Sequence, residues 1–368
     1  MAASRSALLR RWQAAIGSLL ALFGAGSART ATLPADRAEA MFHNYAGGGV
    51  TANGPALLVR KSLLDKVSLS GSLYVDAVSN ASVDVVTTAS KYKERRTEWG
   101  LGADYAVRDA LLSLGLTTSK EPDYRADAFS VDVAQETLGG QTTLALGFTR
   151  AADKVGQAGV GFFDAATHWQ YRLGVTQILS PKWIASANLE AIADSGYLGN
   201  PYRAARVFGA AVPERVPRTR SSRALNLRSI HDLGARDAVR GSYRHFWDNW
   251  GVKAHTVEGG YSRYVGESFL LDGYLRFYKQ TQASFYSDNA QADTLYVTRN
   301  RQLGDYDGTT LGGKAAFTWK KVPGQYEVKA NLALELLHYR YRNYTDLRTG
   351  SAYALNAGVV QLYVTANY

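Results

Sequence analysis

Residues 50–90 read VTANGPALLVRKSLLDKVSLSGSLYVDAVSNASVDVVTTAS, and this stretch decides the fold. Across residues 67–76, apolar positions (Val, Leu, Gly, Leu, Val) alternate with polar ones (Ser, Ser, Ser, Tyr, Asp). A period of two is typical of a β-strand with one apolar and one polar face. The run 55–63 precedes it, and the short turn Leu64-Asp65-Lys66 predicts that the two strands pair antiparallel. A run of this length also suits a tilted strand that crosses a bilayer, which needs about 9 to 11 residues.

The same alternation recurs from residue 38 to residue 368, in sixteen runs separated by turn residues. Short turns alternate with mostly longer loops, among them the predicted loop 151–167, as in bacterial outer-membrane barrels. No segment offers a long enough apolar stretch for a helical membrane span. The sequence therefore predicts an all-β fold, a porin-like transmembrane antiparallel up-and-down β-barrel of about sixteen strands. Fourteen strands is the alternative, because the runs at 38–46 and 355–368 are the weakest.

Composition agrees with a barrel and excludes several classes of protein. The chain has 23 Tyr against 12 Phe, 35 Gly and only 8 Pro, and its formal charge is +10. The mean hydropathy of −0.22 is too polar for a helical membrane protein. Cysteine is absent from the sequence, which removes disulfide frameworks, thiolate metal sites and cysteine nucleophiles.

The N-terminus predicts a secretory signal peptide and therefore export to the bacterial outer membrane. Arg5, Arg10 and Arg11 form a positive region, followed by the apolar residues 14–25 and a small-residue cleavage site at 26–28. A short helix that stays on the mature protein is the alternative. The predicted division of the chain is residues 1–28 as the cleaved signal, 29–37 as an N-terminal linker and 38–368 as a single barrel.

Charged residues on the polar faces of the strands predict a charge ladder inside the barrel. Its acids are Asp76, Glu98, Asp104, Asp132, Glu190, Glu258, Asp272 and Glu335. Its bases are Arg96, Arg172, Arg228, Arg240, Arg244, Arg276, Lys314 and Lys329. Because the two signs nearly balance, we expect many of these groups to pair, which leaves a narrowed water-filled channel.

Three of these bases, Arg240, Arg244 and Arg276, lie on predicted strands only two apart, between the acid-bearing runs at Glu258 and Asp272. We interpret them as a selective wall that attracts anionic groups while the acids hold the guanidinium groups in place. The alternative is a static salt-bridged plug that conducts nothing.

A second basic cluster lies in the predicted loop 194–222 and at the residue that follows it. Its members are Arg203, Arg206, Arg215, Arg218, Arg220 and Arg223. Asp194 and Glu214 are the acids of the same stretch. On the cell surface such a loop would contact lipopolysaccharide phosphates or attract anionic solutes, or it is simply a solvated loop.

No motif in the sequence indicates an enzyme, a metal site, a cofactor or nucleic-acid binding. The six histidines, His43, His168, His231, His245, His255 and His338, lack metal-ligand spacing and are interpreted as surface or interfacial residues. Residues 305–308 resemble the start of a calcium loop but lack its glutamate. Residues 47–49, three glycines, are interpreted as a flexible loop. Three apolar residues in the loop 79–90, Val83, Val85 and Val86, predict that this loop packs on the barrel or extends its strands.

The runs 54–90, 196–206, 217–220, 250–261 and 283–288 resemble the bacterial family known as domain of unknown function 3570 (DUF3570). The resemblance covers nearly all of the mature chain. It implies a Gram-negative outer-membrane protein and supplies no catalytic residues. The closing residues 363–368, with Tyr363 and Tyr368, also resemble the aromatic-ended signal read by the barrel-assembly machinery, although that signal usually ends in Phe.

Three functions compete at this point. The leading hypothesis is a pore or gated conduit for small solutes, anionic ones included. The second is a non-conducting scaffold in the lipid bilayer that binds periplasmic partner proteins or lipopolysaccharide. The third is an outer-membrane enzyme without a recognisable motif, which we do not favour because no nucleophile, base and orienting group converge in the sequence.

Overall fold

The computed structural model describes residues 31–80 and 92–368. The predicted signal peptide and the residues Val83, Val85 and Val86 lie outside the described residues. Within the described part the strands are β1 (Arg37–Gly47), β2 (Val50–Leu64), β3 (Val67–Asn80), β4 (Tyr92–Val107), β5 (Ala110–Lys120), β6 (Tyr124–Thr137), β7 (Thr142–Gln157), β8 (Phe162–Ser180), β9 (Trp183–Gly196), β10 (Ala204–Val207), β11 (Ala210–Pro213), β12 (Thr219–Asp232), β13 (Asp237–Asp248), β14 (Lys253–Val265), β15 (Phe269–Gln280), β16 (Tyr306–Val322), β17 (Tyr326–Thr345) and β18 (Ala352–Asn367). Short 3-10 helices occupy Leu138–Gly140, Ala158–Val160 and Arg301–Leu303.

Sixteen of these strands close into one antiparallel barrel, which confirms the predicted fold. Each barrel strand pairs with its neighbours in sequence, β9 pairs with β12, and β1 pairs with β18 along its whole length. The two weakest runs of the sequence are therefore the strands that close the ring. Closure pairs the backbone of both edge strands, which an open sheet in hydrocarbon cannot do. β10 and β11 form a separate hairpin between β9 and β12.

The outward face of the barrel is apolar. In β15, exposed and partly buried residues alternate along nearly the whole strand, and the exposed set includes Leu271, Leu275 and Phe277. The partly buried set of the same strand includes Asp272, Tyr274 and Arg276, which therefore face the lumen. In the described part of the chain, no helix has the length and apolar character needed to cross a membrane.

Two connections differ from their prediction. The predicted loop 151–167 is mostly strand, because β7 and β8 continue to pair beyond the apolar belt and meet at the turn Ala158–Val160. The glycines at 47–49 form a tight turn rather than a flexible loop. Gly48 and Gly49 have φ angles of 57° and 81°, which is the left-handed region that two-residue hairpin turns require.

The N-terminal segment 31–36 runs along the periplasmic rim. The amide of Ala31 donates to the carbonyl of Arg108 in the β4–β5 turn at 2.5 Å. Asp36 accepts from the backbone amide of Ser62 at 2.6 Å and pairs with the Lys61 ammonium at 2.7 Å. These partners, Lys61 first, lower the pKa of Asp36 to about 2. The segment is thus fastened at both ends to the short-turn side of the barrel.

Candidate functional site

The inner wall is organised by pairs of charged side chains that reach across an intervening strand. Arg172 of β8 donates to Asp132 of β6 at 2.7 Å, and the strand between them carries Gly147 at the same register position. A Cβ atom at Gly147 would lie 2.7 Å from Nε of Arg172 and would also collide with the Asp132 carboxylate. The glycine therefore leaves room for the ion pair to lie flat against the wall.

The same arrangement recurs on β15–β17. Gly312 of β16 lies opposite both Tyr274 and Glu335, and the Tyr274 hydroxyl donates to the Glu335 carboxylate over it. A Cβ at Gly312 would lie 2.6 Å from the Tyr274 hydroxyl oxygen. Side chains that lie along the wall in this way leave the centre of the lumen free.

Arg240 and Arg276 are both neutralised by acids that lie one or two strands away. Arg240 donates to both oxygens of Asp272, at 2.9 Å for the Nη2–Oδ1 contact, and its Nε lies 3.7 Å from Glu258. Arg276 approaches Glu258 at 2.8 Å. Both guanidinium groups also lie over the Tyr274 ring, at 5.7 and 5.1 Å from its centroid. At these two residues of the predicted selective wall, the guanidinium groups are therefore already bound by carboxylates.

The two bases of the ladder with unused hydrogen-bonding capacity are Arg228 and Arg244. In the part of the chain that the structure describes, Arg228 has no hydrogen bond or ion pair, and it is exposed to the lumen. Arg244 approaches Glu190 at 3.6 Å, which is too long for a hydrogen bond, and 39% of its side chain is exposed. Ser242 lies opposite Arg228 and two residues from Arg244, so the two guanidinium groups belong to one patch of wall.

The other residues of the predicted ladder also lie on the inward face, and most have a partner. The closest contacts are Asp76 with His43 at 2.6 Å, Asp104 with Arg60 at 2.8 Å, Glu98 with Arg96 at 2.5 Å and Lys329 with Glu327 at 2.7 Å. Lys314 lies over the ring of Tyr363, 5.2 Å from its centroid. His43 and Arg60 were not among the predicted ladder residues, although both lie at inward-facing positions of β1 and β2.

The extracellular mouth is covered by two long loops, residues 197–218 and 281–305, which we call the cap. Isolated β-bridges join the loops at Val207–Ala290 and Arg215–Val297. The first loop also reaches over the ends of β6 to β8, where Tyr202 donates to Asp123 of the β5–β6 connection. The loops thus form one structure across the opening.

Arg299 anchors the second loop to the barrel. Its side chain is 3% exposed and donates to the Tyr344 hydroxyl at 3.0 Å and to the Thr345 carbonyl at 2.5 Å. Its guanidinium group also lies 4.1 Å from the centroid of the Tyr344 ring. Tyr344 belongs to a buried tyrosine cluster with Tyr341 and Tyr353 on the inner face of β17 and β18.

A cavity of about 530 Å³ lies beneath the cap. Strands β6 to β9 and β12 to β15 supply its wall, and residues 197–199 with Asn300, Gln302 and Leu303 supply its roof. Arg244 lines the cavity together with Phe246 and Tyr278. The free patch at Arg228 and Arg244 therefore continues into the chamber that opens below the cap.

His168 of β8 also lines this cavity, three strands away from Arg244. Its Nδ1 is 2.7 Å from Asp194 and its Nε2 is 3.0 Å from Asp153. Because both ring nitrogens are engaged by carboxylates, the imidazole is held in place between them. The interpretation of all histidines as surface or interfacial residues is wrong for His43 and His168, which are paired with acids inside the barrel.

The predicted basic loop is shorter than expected, and several of its arginines are paired. Arg220 and Arg223 belong to β12; Arg220 faces inward and pairs with Asp248 at 2.5 Å, and Arg223 lies on the outward face. The remaining contacts are Arg203 with Glu214 at 3.8 Å, Arg206 with the Gly209 carbonyl at 3.2 Å, Arg215 with Asp293 and Arg218 with Asp164 at 2.7 Å. These loop arginines hold the cap together.

The two tyrosines of the predicted assembly signal lie on opposite faces of the last strand. Tyr363 faces the lumen beneath Lys314, and Tyr368 is exposed at the periplasmic end, where its hydroxyl approaches the Arg60 carbonyl at 3.4 Å. An assembly role for either residue stays a prediction.

Two solved structures match the chain at low sequence identity. A bacterial polysaccharide outer membrane secretin matches 91% of this chain and 100% of its own at 8% identity, with a TM-score of 0.53. A Pseudomonas aeruginosa FadL homologue matches 90% of both chains at 12% identity, with a TM-score of 0.42. The similarity to the secretin, at this level of identity, shows the fold alone. No curated protein matches the sequence.

A family model described as "protein of unknown function (DUF3570)" matches residues 25–352. The match spans most of the chain, including nearly all of the barrel. The resemblance drawn from the sequence is confirmed, and the chain belongs to the DUF3570 family.

Proposed function

We propose that this outer-membrane barrel is a gated conduit for small anionic solutes. The observation that carries the proposal is the patch at Arg228 and Arg244, two lumen-facing guanidinium groups with free hydrogen-bonding capacity on a wall whose other charges are mostly paired. Arginine presents several N–H donors that match carboxylate and phosphate groups. Sixteen-stranded barrels of this type are wide enough to leave an aqueous channel.

The patch belongs to a column of arginines along the adjacent strands β12 and β13. The register places Arg220 near the extracellular end, followed by Arg244, Arg228 and Arg240 toward the periplasm. Arg220 and Arg240 are held by acids, so the column offers its strongest attraction in the middle. An anion that enters the chamber below the cap meets Arg244 first and Arg228 next.

The cap supplies the gate in this proposal. It lies across the mouth and roofs the chamber, so a solute reaches Arg244 from outside when the cap opens or when the solute passes between the two loops. The secretin similarity supports a conduit only through the shared fold. The solute stays unnamed beyond its charge.

Ion selectivity in planar bilayers tests the proposal. Under a potassium chloride gradient, we expect the wild type to show a reversal potential whose sign indicates a preference for chloride over potassium. In the double variant R228S/R244S, we expect this potential to shift toward zero. The matched control is R150S/R263S, which removes the same charge from the outward face and is expected to keep the wild-type potential. Wild-type selectivity in R228S/R244S contradicts the proposal.

A non-conducting scaffold is the second candidate, and the burial of the cap favours it. Ala283, Val297 and Thr298 in the second loop are almost completely buried, which is typical of a folded domain rather than a mobile flap. If neither the wild type nor a variant with a loosened cap conducts, the scaffold explains the structure and the conduit is wrong.

An enzyme is not part of the proposal. His168 is the residue closest to an acid–base group in the chamber, and carboxylates occupy both of its ring nitrogens. A general base needs a free nitrogen within reach of the proton that it removes. Export through the signal peptide and partnership with periplasmic proteins also stay predictions.

A further inference from the structure

We propose that the outward face of β12–β17 carries a binding site for the phosphate groups of an outer-leaflet glycolipid, lipid A. This site is independent of the conduit, because none of its residues faces the lumen. It is formed by four exposed bases, Arg223, Lys253, Lys279 and Arg340.

The strand register places these bases in one band. Trp247 of β13 lies opposite both Arg223 and Lys253, so these two bases are two strands apart. Lys279 lies on the strand next to Lys253, opposite His255. Neighbouring strands are about 4.8 Å apart, so Arg223 and Lys253 flank a gap of about 10 Å.

The band has unused positive charge. In the described part of the chain, these four bases make no ion pair, unlike most arginines of the lumen and the cap. The acid on the same face is Asp307, which lies opposite both Lys279 and Arg340. Its carboxylate is already engaged by Arg342 at 2.7 Å.

The surroundings favour a lipid over a soluble anion. Directly toward the periplasm from the band, the same strands expose the apolar side chains of Val257, Phe277, Leu311 and Leu336. Within the band, at the same register positions as the bases, lies a row of stacked rings, in which His245 contacts Trp247 at 5.1 Å and His255 at 4.5 Å between centroids. Amphipathic rings of this kind are enriched at the level of lipid headgroups. A lipid with acyl chains, sugar rings and phosphates would contact the apolar side chains, the stacked rings and the bases at the same time.

The position of the band at one end of the strands indicates which membrane leaflet supplies the lipid. The band lies at the long-loop end of the strands, which faces the cell exterior in outer-membrane barrels. The outer leaflet there consists mainly of lipopolysaccharide, whose lipid A part carries phosphates on a sugar backbone. The proposed contact is made by strand residues that point into the leaflet, and lipopolysaccharide contact through the loop arginines stays a separate prediction.

Native mass spectrometry of the detergent-solubilised full chain tests the site. The probe is lipid A with both phosphates, compared with the same lipid after removal of its phosphates and with phosphatidylglycerol. Two lysines near the membrane surface are worth about 1 kcal/mol each toward anionic lipid, so we expect K253S/K279S to bind lipid A about 30-fold more weakly. The matched control K66S/K182S removes two lysines from periplasmic turns and should bind as the wild type does.

Each outcome decides the proposal. Loss of binding in K253S/K279S but not in K66S/K182S, with weaker binding of the dephosphorylated lipid, supports it. Equal binding by wild type and K253S/K279S overturns it, and so does equal loss in the control, which indicates unspecific charge attraction. Equal binding of phosphatidylglycerol points to any anionic lipid and overturns the assignment to lipid A. Heat-modifiable migration on gels verifies that each variant is folded, and an unchanged reversal potential in bilayers separates this site from the conduit.

Discussion

The Tyr274 hydroxyl donates a hydrogen bond to the Glu335 carboxylate across the full width of β16, and Gly312 lies directly beneath the contact. Arg172 and Asp132 make the same kind of contact over Gly147. At both places a glycine on the middle of three strands lets a donor on one outer strand bond to an acceptor on the other. The arrangement explains why glycines occur inside strands, where they otherwise weaken pairing.

Replacing Gly147 by Val should break the Arg172–Asp132 pair. The new side chain would occupy the volume of the carboxylate and of the guanidinium Nε, so both groups would turn into the lumen. We expect a loss of about 1–3 kcal/mol in the free energy of unfolding, measured by urea titration in lipid vesicles. Gly71→Val is the control, because the space beside Gly71 is open. Equal losses in the two variants would show that the effect comes from the strand and not from the pair.

Replacing Arg240 should lower the free energy of unfolding much more than replacing Arg228, although both are lumen-facing arginines of neighbouring strands. R240S leaves Asp272 without its bidentate partner, which should cost about 2–4 kcal/mol in the free energy of unfolding. R228S removes a group without a partner in the described chain and should change the free energy by less than about 0.5 kcal/mol. The same urea titration measures both. A large loss in R228S would mean that its guanidinium is structural, and the anion patch would lose its main support.

The sequence predicted the barrel well because one physical signal controls it. Alternation with a period of two reports which residues face lipid, and the outward leucines and inward charges of β17 lie where the alternation places them. Even the weak runs that became β1 and β18 were identified, although their pairing with each other depends on ring closure rather than on local pattern. Strand ends were less accurate, since pairing continues above the membrane in β7 and β8, where no lipid enforces alternation.

The site was predicted less completely because charge partners are non-local. The sequence gives no sign that Arg240 is satisfied by Asp272 while Arg228 is left free, since both sit at inward positions with acids nearby in register. The His168 contacts also join separate strands. One available signal was overlooked: in-strand glycines such as Gly147 and Gly312, at inward positions, mark where side chains of the flanking strands meet.

Asp36 gives a pH-dependent prediction for the periplasmic rim. Its pKa is lowered to about 2, so the carboxylate stabilises the folded state at every pH above the ordinary value near 3.8. That contribution falls as the pH drops from about 4 through 2 and is absent below. We expect D36N to melt at a lower temperature than wild type between pH 5 and pH 8, by the same amount throughout. The difference should shrink toward pH 2.5, as measured by tyrosine fluorescence. A difference that grows on acidification would contradict the assignment to this carboxylate.

Arg299 provides the decisive test of the cap. Its side chain is nearly fully buried and joins the second loop to Tyr344 and Thr345 of β17. R299A removes these donors and leaves the Thr345 carbonyl and the Asp288 carboxylate without this partner, which should cost about 2–3 kcal/mol of local stability. Because cleavage of a folded loop requires local opening, proteinase K should cut residues 281–305 of R299A in intact cells at least about tenfold faster than in wild type.

The matched control for R299A is R348A, in the neighbouring loop. Arg348 pairs with Asp346 at 2.6 Å, and half of its side chain is exposed, so its loss should leave cleavage of the cap unchanged. If the cap is a gate, R299A should also raise the single-channel conductance above the wild-type value while keeping chloride preference, because Arg228 and Arg244 are untouched. Faster cleavage without any rise in conductance would mean that the cap covers a closed barrel, and the scaffold would then replace the conduit. Unchanged cleavage would show that the buried guanidinium is not what holds the cap in place.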